Sequence, residues 1–263
     1  MPAHAAHCQR AVCMSVRMAS SLAALTEGVI VNRKHRFALS VLVDGVAYDC
    51  HCPSTGNIGG LVLDGLPCLL SASQDVNRKT PYTVEAISLD GAGRRSKAWI
   101  GINQNAANRY VEGCLKTGQF EDMVGCPAIV KREQFVGESK LDFIADDFYI
   151  EVKTPLNTLN LDIPRSAVQK RKAGAQSADR FIRHIQELAG CLDGKGKRAI
   201  LLVCCIYDNE RFTPPGDGAR SPEIRRVVSS CVDRGVQIWQ VNFKLTRTGV
   251  TLSKYFDITA DFI

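Results

Sequence analysis

Between residues 28 and 102 the chain alternates short apolar runs with turn-forming residues. Runs that are rich in Val, Ile, Leu and aromatic residues, and bounded by Gly, Asp, Asn or Pro, are typical of β-strands. Asp44-Gly45 lies between two such runs and predicts a tight hairpin, and Asp90-Gly91 is a second turn signal. Strands are predicted at residues 29–31, 37–43, 47–52, 68–72, 83–89 and 98–102. This series of short strands predicts a small barrel, for which the oligonucleotide-binding (OB) type is one candidate.

The pattern changes after Asn103, where apolar positions begin to recur at helical spacing. Helices are predicted at 108–117 and 120–123, and strands follow that lead into a hairpin over residues 142–154. The remaining predicted elements are a helix from Ser177 to about Leu192, a strand at 199–207, a helix at 222–234 and a strand at 236–243. This order predicts an α/β sheet domain, so the expected fold class is all-β plus α/β.

Composition restricts the class of protein without identifying it. The 263 residues are 45% apolar and carry a formal net charge of +6, which suits a globular protein with a moderate basic excess. No apolar run approaches the length that crosses a bilayer, so no membrane partner is expected. The 11 cysteines include no Cys-x-x-Cys pair, which argues against a zinc or disulfide framework. We therefore expect a reducing compartment and a cytoplasmic location.

Residues 1–23 are rich in Ala, Ser and Met, and no acidic residue precedes Glu27. A mitochondrial transit peptide has this composition, which makes a mitochondrial location an alternative. A disordered tail, or translation from a later methionine, also explains the segment, and we favour this interpretation. The expected organisation is a tail at 1–26, an OB-like barrel at 27–102 and an α/β domain at 103–263.

The strongest candidate chemistry lies in residues 139–154, which contain Asp142, Glu151 and Lys153. Glu151 and Lys153 are two apart in a strand-like run, so both side chains are expected on one face. A hairpin would add Asp142 and create a pocket with two carboxylates and an amine. Asp142 and Glu151 would hold Mg²⁺ or Mn²⁺, and all three residues are candidates for metal-dependent phosphodiester hydrolysis. The alternative is that the acids and the lysine occur on an alternating strand by chance and have no catalytic role.

Basic residues beside aromatic residues are the candidate nucleic-acid contacts. Arg33, Lys34 and Arg36 precede Phe37, and a second basic pair precedes Pro81-Tyr82. Cations of this kind contact phosphates, and an adjacent ring can stack on a base. The first group would equally suit an edge strand that charge protects from aggregation. The full set of predicted DNA contacts is Arg33, Lys34, Arg36, Arg78, Lys79 and Arg109.

Six short segments share one resemblance, at residues 51–57, 78–83, 101–103, 108–109, 139–143 and 183–188. The first begins His51-Cys52-Pro53, and the last begins Arg183-His184. Taken in this order, the segments resemble the sugar fermentation stimulation protein A family over about residues 28 to 250. The resemblance implies a DNA-binding protein with an N-terminal OB-like barrel and a C-terminal PD-(D/E)XK, or restriction-endonuclease-like, domain.

The same resemblance places Asp142, Glu151 and Lys153 on the nuclease motif of the family, and all three are intact. The chain departs from the family pattern at Gly113, where an acid is usual. Glu112 stands beside it and is a candidate third acid near the metal. His184, in spite of its place in a matching segment, is expected at the surface or at the edge of the core.

We predict a DNA-binding protein that makes sequence-independent contacts with phosphates, and RNA is a second candidate ligand. A Mg²⁺-dependent nuclease acting on DNA or RNA is the alternative. A protein-interaction scaffold, in which the three charged residues are a relic, is the third hypothesis and predicts no affinity for nucleic acid.

Overall fold

The computed structural model describes residues 24–54, 56–157, 159–161, 163, 176–192, 196–212 and 221–262, except for the side chains of 176–180 and 221. The predictions for residues 1–23 lie outside these ranges. None of the described helices is long and apolar enough to span a membrane.

The N-terminal strands form a closed barrel, as the turn-rich pattern predicts. The strands are β1 (Thr26–His35), β2 (Ala38–Val43), β3 (Val46–His51), β4 (Pro67–Ala72), β5 (Tyr82–Ile87) and β6 (Ile100–Gly101). β1 pairs with β2 and β4, β2 with β3, and β4 with β5. A parallel pairing of β3 with β5 closes the barrel. The resulting cyclic order, β1-β2-β3-β5-β4, is that of an OB-like barrel, while β6 extends the sheet beyond β5.

The turn at Asp44-Gly45 sets the register of the β2–β3 hairpin. Asp44 has φ 48° and Gly45 has φ 83°, which is the left-handed backbone of a two-residue hairpin turn. Val43 therefore pairs with Val46. In this register Leu39, Val41 and Val43 are all buried in the barrel core, because alternate residues of β2 face the same side.

The second turn signal does not form a tight hairpin. After β5 the chain makes a longer excursion, in which Asp90 accepts a hydrogen bond from the Ala98 amide at 2.7 Å and contacts Arg94 at 2.6 Å. The carboxylate organises this loop, and the strand that follows comprises only Ile100–Gly101.

A second sheet of six strands forms the α/β domain, with the order β12-β11-β10-β9-β8-β7. The strands are β7 (Val130–Val136), β8 (Ser139–Ala145), β9 (Phe148–Lys153), β10 (Arg198–Cys205), β11 (Val236–Thr246) and β12 (Gly249–Asp257). β10 runs parallel to β9 and β11, and the outer pairings are antiparallel. The sequence pattern did not predict β12. It is a sheet-edge strand with mostly half-exposed residues, so its apolar alternation is weak.

Helices cover both faces of this sheet. They are α1 (Gln104–Lys116), α2 (Glu121–Val124), α3 (Gln176–Gly190) and α4 (Ser221–Asp233), and a short 3-10 helix (Thr259–Phe262) follows β12. On β10, Leu201 belongs to the core cluster that includes Ile185 of α3, whereas Leu202 belongs to the cluster that includes Tyr110 of α1. Because alternate residues of β10 face opposite sides of the sheet, this strand contributes side chains to both apolar clusters. α1 begins before the predicted residue 108, because Asn103 caps it by accepting from the Ala106 amide at 3.2 Å.

The barrel contacts the α/β domain closely at Gly101. Its amide donates to the Ile206 carbonyl at 2.7 Å, and a Cβ added at Gly101 would overlap the Ile206 side chain. Glycine is therefore required at this position for steric reasons.

We expect Gly101→Ala to lower the free energy of unfolding by about 1–3 kcal/mol, because an inserted methyl group must displace packed neighbours. Urea unfolding followed by circular dichroism measures the change. Gly93→Ala is the matched control, since its added Cβ meets nothing within 4 Å. Equal stability of the two alanine variants would contradict the steric argument.

Candidate functional site

The hairpin of β8 and β9 brings the predicted acids together. The chain reverses at Asp146, which has φ 51°, and Ala145 then pairs with Phe148 and Phe143 with Ile150. Extending this register by one position places Asp142 opposite Glu151. The two carboxylates are near enough that the charge of Glu151 affects the pKa of Asp142.

The Asp142 carboxylate joins two elements of the fold. Its Oδ2 accepts a hydrogen bond from the Val152 amide of β9 at 2.8 Å, and its Oδ1 accepts from Nδ2 of Asn108 on α1 at 2.8 Å. A side chain thus satisfies a backbone donor at the point where the β8–β9 pairing ends. The carboxylate is held in one orientation by two donors on different elements.

Glu151 is the centre of a second set of contacts. Its side chain is only 8% exposed, and its Oε1 lies 2.5 Å from Lys153 Nζ and 2.9 Å from His184 Nδ1. The Lys153 and His184 nitrogens are 3.1 Å apart. A ring nitrogen either carries a proton or accepts one, so Nδ1 can donate to Glu151 or accept from Lys153 but cannot do both.

The pKa shifts of the two acids are opposite in direction. Burial, with a further contribution from the Glu151 charge, raises the pKa of Asp142 above 3.8. Burial alone would also raise the pKa of Glu151, but the hydrogen bond with His184 and the charge of Lys153 outweigh it and lower that pKa below 4.5. Glu151 is therefore the more readily ionised of the pair. Its negative charge destabilises the ionised form of Asp142.

The donor set of this pair suits a hard divalent cation, since carboxylate oxygens are the ligands that such ions prefer. A cation between the two acids would remove the repulsion that raises the pKa of Asp142. Within the described ranges, however, no three His, Cys, Asp or Glu side chains are grouped so as to hold a metal ion. Glu112, the candidate third acid, forms ion pairs with Lys116 at 2.7 Å and Arg132 at 3.1 Å instead.

Two residues join the site that sequence analysis did not assign to it. The sequence places Asn108 only within a matching segment, and it predicts His184 at the surface or at the edge of the core rather than as a partner of Glu151. The position of His184 could have been predicted from its spacing to Ile185 and Leu188 on α3. The apolar pair, which is fully buried, packs α3 on the sheet, and His184 precedes it at the border of that stripe. A histidine at this border lies next to the face of the sheet that carries Glu151.

The predicted phosphate contacts of β1 have defined partners. Arg33 donates from its guanidinium to three backbone carbonyls, those of Ser54 at 2.7 Å, Arg36 at 2.9 Å and Gly56 at 3.1 Å. Lys34 pairs with Asp49 at 2.6 Å, and both side chains are about half exposed. Arg33 therefore holds the segment after β3 against the β1–β2 turn.

The other predicted contacts are more open. Arg36 lies over the Phe37 ring, with its guanidinium carbon 4.5 Å from the ring centroid. Arg78 is half-buried and Lys79 is exposed in the β4–β5 loop, while Arg109 is exposed on α1 next to Asn108.

The β1–β2 turn and the β4–β5 loop flank the same end of β3. Ala38 pairs with His51, and His51 pairs in turn with Thr83 at the start of β5. The pKa of His51 is lowered by burial and then by the charge of Arg78, so Arg78 faces this end of the strand. The pairing thus gathers Arg36, Arg78 and their neighbours at one end of the barrel, which we call the basic barrel end.

The segment that follows β3 also contacts the chain just after β9. The Gly59 amide donates to the Leu156 carbonyl at 2.7 Å, three residues beyond Lys153. Gln104 of α1 donates to the nearby Thr154 carbonyl at 3.0 Å. These bonds fix the exit of β9, which carries Glu151 and Lys153, relative to the barrel.

Comparisons with known proteins agree with this architecture. The family model described as the SfsA N-terminal OB domain matches residues 31–102. A sugar fermentation stimulation protein homolog of Synechococcus sp. (strain JA-2-3B'a(2-13)) is 31% identical over 232 residues, which cover 86% of this chain and 90% of the relative. The homolog of Methylobacterium sp. (strain 4-46) is 30% identical over 198 residues, or 73% of this chain and 79% of the relative.

A solved structure, that of Pyrococcus furiosus SfsA in complex with Ca²⁺, has a similar fold. It superposes with a TM-score of 0.67 at 20% identity and covers 93% of this chain and 97% of that one. At this identity the likeness supports the fold of both parts of the chain.

The raised pKa of Asp142 predicts how stability depends on pH in metal-free buffer. Because the folded protein resists ionisation of this group, its contribution to stability is full below pH 3.8 and is lost as pH rises through the folded-state pKa. Asp142→Asn avoids this loss, so its free energy of unfolding should improve relative to wild type as pH rises from about 4 to 8. Urea unfolding with EDTA present tests this expectation. The exposed change Asp64→Asn is the control, and a parallel response of the two variants would contradict the assignment.

Proposed function

Because the chain belongs to the sugar fermentation stimulation protein family, we propose that it binds DNA through sequence-independent contacts with phosphates. One observation carries the proposal: the basic barrel end is built from the β1–β2 turn and the β4–β5 loop. These are the loops with which OB-folds bind oligonucleotides. The chain places Arg36 on the first of them and Arg78 and Lys79 on the second.

The side-chain contacts divide the predicted cations by role. Arg33 donates to backbone carbonyls, so it supports the loops. In this proposal it attracts a phosphate through its positive charge without a direct hydrogen bond. Lys34 can exchange its exposed partner Asp49 for a phosphate at little cost, since exposed pairs contribute at most about 1 kcal/mol. Arg36, Arg78 and Lys79 are the main contacts in this proposal. Arg109 lies on α1 and would contact a DNA strand that extends from the basic barrel end toward the acid pair.

Phosphate contacts of this kind make binding depend steeply on salt. Each neutralised phosphate contributes about −0.9 to the slope of log K against log [salt] on duplex DNA. The double variant Arg78→Ala/Lys79→Ala should therefore weaken binding and reduce the magnitude of that slope by roughly two. Fluorescence anisotropy with a labelled duplex at several salt concentrations measures both quantities.

The control is Lys116→Ala/Lys140→Ala, which removes the same charge from exposed ion pairs of the α/β domain. We expect this variant to keep the wild-type slope. If both double variants change the slope equally, net charge rather than the basic barrel end governs binding. RNA of the same sequence, used as a competitor, distinguishes the two nucleic acids as ligands.

A second candidate function is a Mg²⁺-dependent nuclease, and the arrangement of Asp142, Glu151 and Lys153 favours it. Two carboxylates face each other across β8 and β9, and an amine lies 2.5 Å from one of them. Asp142 and Glu151 would hold Mg²⁺ or Mn²⁺, which would supply a polarised water as nucleophile. Ca²⁺, with which the Pyrococcus furiosus protein was solved, is likewise an oxygen-preferring cation.

The protein's own groups have distinct roles in this second proposal. Asn108 and the Val152 amide orient the Asp142 carboxylate, and His184 orients Glu151. Lys153 can donate to a phosphate oxygen and stabilise the negative charge that develops on it. Its side chain is 24% exposed, so the amine is accessible at the border of the site.

Binding of a cation between the acids should stabilise the folded protein. A ligand at one hundred times its Kd adds about 2.7 kcal/mol, so Mn²⁺ should raise the Tm of wild type and not that of Asp142→Asn or Glu151→Gln. Glu133→Gln, at an exposed ion pair on β7, is the control that should retain the response. Cleavage of single-stranded DNA, duplex DNA and RNA is then assayed with the same proteins.

The two readouts separate the parts of the second proposal. Loss of the Mn²⁺ response in both site variants, together with intact substrates, would support a metal site and contradict the nuclease. An equal response in wild type and Asp142→Asn would place any bound metal elsewhere. Cleavage that persists in Asp142→Asn would point to a contaminating nuclease.

A further inference from the structure

An exposed aromatic ring stands at the basic barrel end. Phe37 lies in the turn between β1 and β2, and its side chain is 41% exposed. The Arg36 guanidinium covers part of the ring at 4.5 Å, and the His35 ring approaches it edge-on with centroids 6.5 Å apart. Part of the ring is therefore open to a ligand that approaches the turn.

The backbone that carries this ring is fixed. The Phe37 carbonyl accepts from the Cys52 amide at 2.8 Å, and the Phe37 amide lies 3.3 Å from Nδ1 of His35. Arg33 also holds the neighbouring Arg36 carbonyl at 2.9 Å. The ring therefore stands on a rigid turn, and a ligand that stacks on it need not order the loop first.

The cations around the ring match the polyanionic backbone of a nucleic acid. Arg36 adjoins Phe37, and Arg78 faces the end of β3 that the same turn flanks. Proteins that bind single strands combine a basic groove with aromatic side chains on which bases stack. The bases of a duplex are already stacked on one another, so a ring on a barrel loop meets only their edges or the phosphates.

We propose that Phe37 is a base-stacking platform and that the DNA ligand of the basic barrel end is single-stranded. This inference rests on the proposed DNA binding and names the form of DNA that the barrel takes. Arg36 extends the stack through its planar guanidinium, while Arg78 and Lys79 contact the phosphates of the same strand. The preference for single strands comes from the ring, and the salt dependence comes from the cations.

The test compares Phe37→Ala with wild type on a labelled thymidine oligonucleotide, on the same oligonucleotide with abasic sites, and on a duplex of equal length. Stacking on an aromatic side chain is worth about tenfold to a hundredfold in affinity for each base, so Phe37→Ala should weaken binding to the intact single strand by about that factor. The salt slope should not change, because no charge is removed. Wild type should bind the abasic strand with the weakened affinity of the variant, and Phe37→Ala should lose nothing further on it.

Phe135→Ala is the matched control, since Phe135 is 70% exposed on β7 and lies in the other domain. It should bind all three ligands as wild type does. Phe37→Leu keeps apolar bulk without the π-face, so it should behave as Phe37→Ala if stacking is responsible. Equal losses on single-stranded and duplex DNA, or no loss at all, would overturn the platform and leave DNA binding intact. Failure of wild type to bind any of the three at low salt would instead overturn the proposed function.

Discussion

The cost of burying charge governs the arrangement around the β8–β9 hairpin. Glu151 is nearly inaccessible to solvent, and an isolated carboxylate in such a place costs several kcal/mol. The cost is offset because Lys153 and His184 both reach the same oxygen, and Asp142 finds donors on α1 and β9. These contacts join two strands and two helices at a single point. The acids are therefore part of what holds the α/β domain together as well as candidates for its chemistry.

The barrel and the α/β domain are joined by packing as well as by the chain. One core cluster contains Val41 and Ile87 of the barrel together with Ile185 and Leu201 of the second domain. Backbone bonds add to this, such as that from Leu25 to the Arg247 carbonyl at 3.0 Å. A shared apolar core resists relative rotation of the two parts, so the basic barrel end keeps a fixed orientation toward the acid pair.

The sequence was sufficient where local chemistry determines structure. Asp44-Gly45 requires a left-handed backbone, and the hairpin and the buried face of β2 follow from it. The two-residue spacing of Glu151 and Lys153 likewise predicted that their side chains lie on one face, where they form an ion pair. Sequence reasoning failed where distant residues decide. Asp90-Gly91 resembled a hairpin turn, but the Ala98 amide and Arg94 draw the Asp90 carboxylate into a loop.

The site shows the same division. A strand pattern places Asp142 and Glu151 on one hairpin, because pairing in a hairpin is local. The choice of His184 as a partner depends on how α3 lies on the sheet, which no short segment encodes. The family resemblance made Glu112 a candidate third acid, but in the structure it forms ion pairs with Arg132 of β7 and with Lys116. Assigning partners to charged residues needed the three-dimensional neighbours of each.

Arg33 has a further consequence for the electrostatics of the barrel. Among the described residues it forms no ion pair, and its donors are satisfied by carbonyl dipoles, which leave its net charge uncompensated. That charge already acts on its surroundings, since it opposes the burial that raises the pKa of the Cys52 thiol. Arg33 thus provides a positive potential at the β1–β2 turn while its guanidinium stays hydrogen-bonded to the backbone. A ligand would be attracted by this residue without displacing any of its hydrogen bonds.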